Sequence, residues 1–147
     1  MTVEATRKKH MKKPLLELFA YAESAVLDGQ IVMPGATEGT IVPCTANADP
    51  LGICLRTVTT AQITLVDDEE AGMDSIKCPV AIIGIAPVLA GGEVDFNEWV
   101  VSDANGRVVA ATGDGTDNII GICLNETTAD GENTHIQIHR IPATSQA

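Results

Sequence analysis

The sequence predicts a mainly β protein: a small β-barrel or β-tulip-like domain built from two related β units, with a flexible N-terminal arm and room for one short helix. Three observations predict it. Thirteen glycines and seven prolines among 147 residues, with many Val, Ile and Thr, suit short strands joined by turns. Apolar types reach 45%, enough for a packed interior at this length, while aromatics are only 3%. The chain also echoes itself. Leu51-Gly52-Ile53-Cys54-Leu55 is matched by Ile120-Gly121-Ile122-Cys123-Leu124, and Val26-Leu27-Asp28-Gly29 by Val88-Leu89-Ala90-Gly91. Two copies indicate a duplicated unit, about 26–66 and 88–141, and not an open-ended solenoid.

Residues 1–13 form the arm and 14–147 a single β-rich domain. Five of the nine bases (Arg7, Lys8, Lys9, Lys12 and Lys13) lie in the arm beside one acid, Glu4, although the whole chain has net charge −11. A segment so poor in apolar residues suits a flexible tail, or an arm that orders on an acidic partner surface. Behind Pro14, the residues Leu15, Leu18, Phe19, Ala22 and Val26 recur at three- and four-residue spacing. That is the pattern of a short helix, which Asp28-Gly29 would stop. No good N-cap precedes Pro14, so an extended apolar docking strip is the alternative.

Strands are expected at Thr40–Thr45, Leu51–Leu55, Gln62–Val66 and Ile76–Ala86. In the second unit Glu98–Val101 turns through Asn105-Gly106, which supplies the positive φ of a tight hairpin, into Arg107–Ala110. Ile120–Leu124 and Thr134–Ile141 follow, the last after a turn at Asp130-Gly131. Leu51, Ile53 and Leu55 share one face, as do Ile120, Ile122 and Leu124. The small residues Gly52, Cys54, Gly121 and Cys123 then face a narrow barrel interior or a closely packed sheet. Pro43 and Pro79 fit edges or bulges. From Gly29 to Gly52 is 23 residues, from Gly91 to Gly121 is 30; the loops around 102–106 and 112–118 are expected to hold the excess.

Composition also excludes functions. An acidic body argues against non-specific nucleic-acid binding, and so few aromatics give single strands nothing to stack on. The polar, basic start is no secretory signal. The longest apolar run, Cys78 to Gly92, is too short to span a bilayer as a helix. Cys44, Cys54, Cys78 and Cys123 form no CxxC pair and are expected to be reduced and buried, with neither metal nor cofactor. His135 and His139 share a strand face at roughly 13 Å, too far apart for one ion, and are expected to face solvent. Asp67-Asp68-Glu69-Glu70 lacks the alternation of a calcium loop, and the loop holding Asp114, Asp117 and Asn118 reads as a similar solvated turn. No nucleophile elbow, phosphate loop or His-Glu-x-x-His is present, so an enzyme is not expected.

One stretch carries a wider likeness. Val88-Leu89-Ala90-Gly91-Gly92, Trp99-Val100-Val101, Gly106-Arg107-Val108-Val109, Ile120-Gly121-Ile122 and the closing His135–Ile141 strand resemble the head decoration, or capsid cement, proteins of tailed bacteriophages. The likeness covers about Val26 to Ile141. It implies a virion protein on the exterior of the expanded head, assembled in the host bacterial cytoplasm. The implied state is a homotrimer at three-fold or quasi-three-fold positions, clamping the major capsid protein against DNA pressure. On this reading the shell-binding residues are Arg7, Lys8, Lys9, Lys12, Lys13, Pro14, Leu15 and Leu16, with no nucleic acid, membrane or cofactor involved. A tail or baseplate β module, or a small barrel with a ligand beside Gly52, Cys54, Gly121 and Cys123, is the alternative; a hydrolase using dispersed acids comes last.

Overall fold

The computed structural model describes residues 13–64, 76–113, 115–127 and 132–143. Among the described residues the strands are β1 (Lys13–Ala22), β2 (Ile31–Pro34), β3 (Thr40–Pro43), β4 (Gly52–Cys54), β5 (Lys77–Leu89), β6 (Trp99–Ser102), β7 (Val108–Ala110), β8 (Ile119–Cys123) and β9 (Asn133–Ile141), with a helix, α1 (Thr60–Thr64). They hydrogen-bond in the order β1-β3-β2-β4-β5-β9-β8-β6-β7. The protein is a mainly β barrel structure, as its composition and turns predict. β1 also pairs with β5, which closes β1, β3, β2, β4 and the first half of β5 into a five-stranded barrel. The second half of β5 runs on beside β9 and begins a second ring with β9, β8, β6 and β7. A single parallel bridge from Ala90 to Val108 closes that ring.

The two rings are copies, strand for strand. The parallel pairing Ala22↔Ile41 recurs as Ala90↔Val108. Ile31↔Ile53 recurs as Trp99↔Ile122, and Cys54↔Val80 as Cys123↔Ile136. The interiors follow the same plan. Ala20, Ala22, Val26, Val32, Ile41, Cys54 and Val80 fill barrel one; Val88, Ala90, Val94, Val100, Val108, Cys123 and Ile136 fill barrel two at matching places. Both interiors are thus occupied by side chains.

The Gly-Ile-Cys-Leu correspondence is that of the fold. The other echo is displaced by six residues. Val26 bridges Val58 as Val94 bridges Thr127, and the Gly29 and Asn97 amides donate to the Cys54 and Cys123 carbonyls. Val26–Gly29 therefore corresponds to Val94–Asn97, and not to Val88–Gly91. Asn97 then precedes Gly121 by 24 residues against 23 from Gly29 to Gly52, so the expected extra loop length all but disappears. The signal was hidden because Asn97 supplies at φ 67° what Gly29 supplies at φ 90°.

Several elements differ from expectation. Residues 13–22 are a strand and not the start of a helix, so the extended alternative is the observed one. β5 pairs with it from Lys13 to Tyr21 and β3 at Tyr21 and Ala22, and register shifts around Leu16 break the two-residue alternation that would have betrayed it. The strand expected at Gln62–Val66 is instead α1 up to Thr64; 65 and 66 lie outside the described residues. Thr59 and Gln62 cap it reciprocally: Thr59 Oγ1 accepts from the Gln62 amide at 3.2 Å and Gln62 Oε1 from the Thr59 amide at 2.8 Å. Pro79 lies inside β5, where its carbonyl accepts from Leu55 just past the end of β4, so its missing N–H interrupts no ladder. In β8 a register shift between Ile119 and Gly121 puts Ile120 and Cys123 together in the core, where strict alternation would separate them.

Barrel two packs on the outside of barrel one. Ile31, Ile53 and Ala81 point away from the first interior, yet they are fully buried among the residues of the second. The tip of the β6–β7 hairpin makes this contact, with Gly106 O accepting from the Ile31 amide at 2.7 Å. Asn47 adds a polar link: its Oδ1 accepts from the Asn118 amide at 2.8 Å, and its carbonyl from Asn118 Nδ2 at 2.9 Å.

Candidate functional site

Arg7, Lys8, Lys9 and Lys12 lie outside the described residues. Lys13, Pro14 and Leu16 enter β1, their backbones opposite Ile85, Gly84 and Ile83 of β5, with Leu15 between them. Leu16 is 51% exposed and its neighbour Ile83 49%. Phe19, three residues on, is 64% exposed, with Lys77 Nζ 4.8 Å from its ring centre. The wall of barrel one formed by β1 and β5 therefore carries an apolar strip with a cation at one end, which suits docking.

A second exposed surface lies on barrel two. Trp99, 37% exposed, meets His139 edge-on at 5.5 Å between ring centres. It borders an open pocket of about 420 Å³ shared with Asn97, Glu98, Ala111, Gly113 and Asp117. Asp117 is buried, and its Oδ2 accepts from Thr112 N at 2.7 Å, Thr112 Oγ1 at 2.8 Å and Gly113 N at 3.2 Å. It anchors the loop over the pocket, so the expectation of a solvated turn fails at this residue. Phe96, 68% exposed, lies a few residues before Trp99.

Charge and titration mark structural roles. The amides of Ala36 and Thr37 donate to Glu23 at 3.1 Å each and hold its carboxyl below the usual range. Burial pushes the Cys44 thiol up, and hydrogen bonding to the neighbouring Cys78 sulfur together with burial does the same for Cys54. All four cysteines are free and buried. His135 contradicts the solvent-facing expectation: it is buried, with Nδ1 2.9 Å from Asn125 Oδ1 in the segment that follows β8. Among the described residues no three His, Cys, Asp or Glu side chains converge as metal ligands, and no helix is long and apolar enough to cross a membrane. The Asp67–Glu70 run and the Asp130-Gly131 turn lie outside the described residues.

Among solved structures, the N-terminal base of the head fiber protein gp8.5 of bacteriophage phi29 matches this chain with a TM-score of 0.64. The two share a fold. Identity is 16%, and the match covers 84% of this chain and 93% of that one. No family model and no curated protein matches the sequence.

Sequence reasoning placed the start of β1 among the binding residues, with Phe19 in its apolar docking strip, and missed Ile83, Phe96 and Trp99. A signal for two of them was available. The chain has only four aromatic residues, and Phe19, Phe96 and Trp99 are exposed on two surfaces. A protein with so little aromatic area to spare for its core spends most of it outside, where aromatics serve as contact anchors.

Proposed function

We propose that this protein is a capsid decoration or cement protein of a tailed bacteriophage, acting without catalysis. On this reading it sits outside the expanded head as a homotrimer at three-fold or quasi-three-fold positions, clamps neighbouring copies of the major capsid protein, and is added in the host cytoplasm. The observation that carries the reading is the fold shared, over most of both chains, with the base of a phage head fiber. The cement-type sequence pattern through barrel two and the apolar strip Leu16–Phe19–Ile83 support it.

A staple of this kind needs a rigid body and several modest contacts engaged together. Two filled barrels locked by a shared strand supply the first. A trimer multiplies the second, since linked weak contacts release slowly. Binding only to the expanded lattice would stabilise that lattice by RT ln(1 + [L]/Kd) per site. In this arrangement Arg7, Lys8, Lys9, Lys12 and Lys13 meet acidic shell surface, while Pro14, Leu15, Leu16 and Phe19 provide the apolar contact.

Co-sedimentation with expanded and unexpanded heads of the encoding phage tests the proposal. Saturable binding to expanded heads is expected, weaker for a chain lacking residues 1–13. Equal binding to both forms would remove the maturation-specific part; no binding to either would overturn the whole.

A further inference from the structure

The contact that joins the two barrels has a counterpart elsewhere in the molecule that is left open. On barrel one, the Asn105-Gly106 turn of barrel two covers Gln30 and Ile31, and Cys44 is bonded to Ile31. Gly106 O accepts from Ile31 N and Asn105 O from Gln30 Nε2, each at 2.7 Å. The duplication maps these three residues onto Glu98, Trp99 and Ala111. Cys54 N donates to Gln30 O as Cys123 N does to Glu98 O, and Cys44 N to Ile31 O as Ala111 N does to Trp99 O. Even the side chains repeat: Gln30 Oε1 accepts from Leu27 N at 2.9 Å and Glu98 Oε1 from Asp95 N at 3.0 Å.

On barrel two this face is bordered by the loop that Asp117 anchors, and among the described residues no hairpin tip of the other barrel sits on it. Trp99 stands exposed beside the pocket, at the place that Ile31 holds in barrel one. The matching turn of barrel one is held to its own barrel by Tyr21 N, which donates to Gly39 O at 3.0 Å, but its tip is open to solvent. Gly39 has the conformation of Gly106, φ 79° against 72°. A Cβ on Gly106 would strike the Ile31 carbonyl and Gln30, whereas one on Gly39 would meet nothing within 4 Å.

We propose that the Trp99 face of barrel two is a docking site for the Thr37–Gly39 turn of a second copy of this chain, seated as Asn105-Gly106 sits on barrel one. The contact is head to tail, so successive copies extend or close into a ring. It names surfaces for the self-association proposed above and is independent of shell binding. Glu98 sets its strength. Gln30 offers an amide donor to a turn carbonyl; the carboxylate of Glu98 offers none and faces the Glu38 carbonyl instead. The contact is therefore weak in dilute solution and forms where copies are crowded, at effective concentrations of about 1 mM.

Trp99 is the sole tryptophan and all four native cysteines are buried, which allows a direct test with the full chain. A donor copy carrying Glu38→Cys, labelled with a nitroxide, and Trp99→Ala has a reporter turn and no face of its own. Titrated into unlabelled wild type, it is expected to quench Trp99 fluorescence saturably. An acceptor copy with Glu98→Gln should reach half-quenching at about tenfold lower concentration, because the amide restores the donor seen at Gln30. Circular dichroism confirms that each variant is folded. Absence of quenching up to about 1 mM, or an unchanged midpoint in the Glu98→Gln copy, overturns the proposal. Shell binding is read separately on the same proteins, so failure there counts only against the cement reading.

Discussion

At the residue scale, the duplication explains side chains that otherwise look arbitrary. Gly52 and Gly121 lie against the carbonyls of Ala81 and Gln137, where any Cβ would collide with backbone. Gly52→Ala and Gly121→Ala are each expected to cost about 1–3 kcal/mol in urea unfolding, since two packed strands would have to part. Asn97 holds a left-handed conformation that its counterpart Gly29 adopts freely. Asn97→Gly should be neutral or slightly stabilising, whereas Asn97→Val should cost about 1–2 kcal/mol in the same assay. Glu23 gives a pH signature. Its carboxylate accepts from the β2–β3 turn, so the folded protein binds this proton less tightly than the unfolded chain. The resulting stabilisation is present above the ordinary value of 4.5 and is lost as pH falls through the lower folded value. The melting temperatures of Glu23→Gln and wild type should differ at about pH 6 and converge as the pH falls through the lowered folded value.

At the element scale, equivalent strands solve one packing problem with different chemistry. Cys54 Sγ donates to Arg56 O at 2.9 Å in barrel one, and Cys123 Sγ to Asn125 O at 2.8 Å in barrel two. Beside them stand Cys78 and Thr134, and Thr134 Oγ1 also donates to Asn125 O at 2.6 Å. Cys78→Thr should stay within about 1 kcal/mol of wild type by thermal unfolding, because Arg56 O offers the hydroxyl the same acceptor. Thr134→Val removes a buried donor and should cost about 1–2 kcal/mol. The strands around Ile53 and Ile122 were legible because turns and Gly-Ile-Cys-Leu bracket them. β1 was not: its apolar residues mimic helical spacing, and the shifts at Leu16 that cause this exist only against β5. α1 was legible in principle, from the capping pair Thr59 and Gln62, but its β-branched residues argue equally for a strand.

For the whole molecule, the division into two filled barrels implies that surface, not interior, carries function. Leu16→Glu and Phe19→Glu place charge on exposed positions of β1, so melting temperature should change little. Affinity for expanded heads, read by co-sedimentation, should fall about tenfold for each if the strip meets the shell. Of the residues that sequence alone nominated, Leu16 lies on this strip. Its partners Ile83 and Phe19 come from a strand 13 residues long and from a segment that reads as a helix. Proximity between them is a property of strand pairing, which no local pattern reports.

The sequence by itself determined the β class, the duplication and the burial of the four cysteines, because composition, turn chemistry and small apolar residues act locally and leave local marks. Only the tertiary structure decided that one long strand serves both barrels, that Asn97 and not Gly91 answers Gly29, and which aromatics face outward. Those facts depend on which backbone carbonyl meets which amide across the fold, a choice made by closure of the two rings together and by no segment alone.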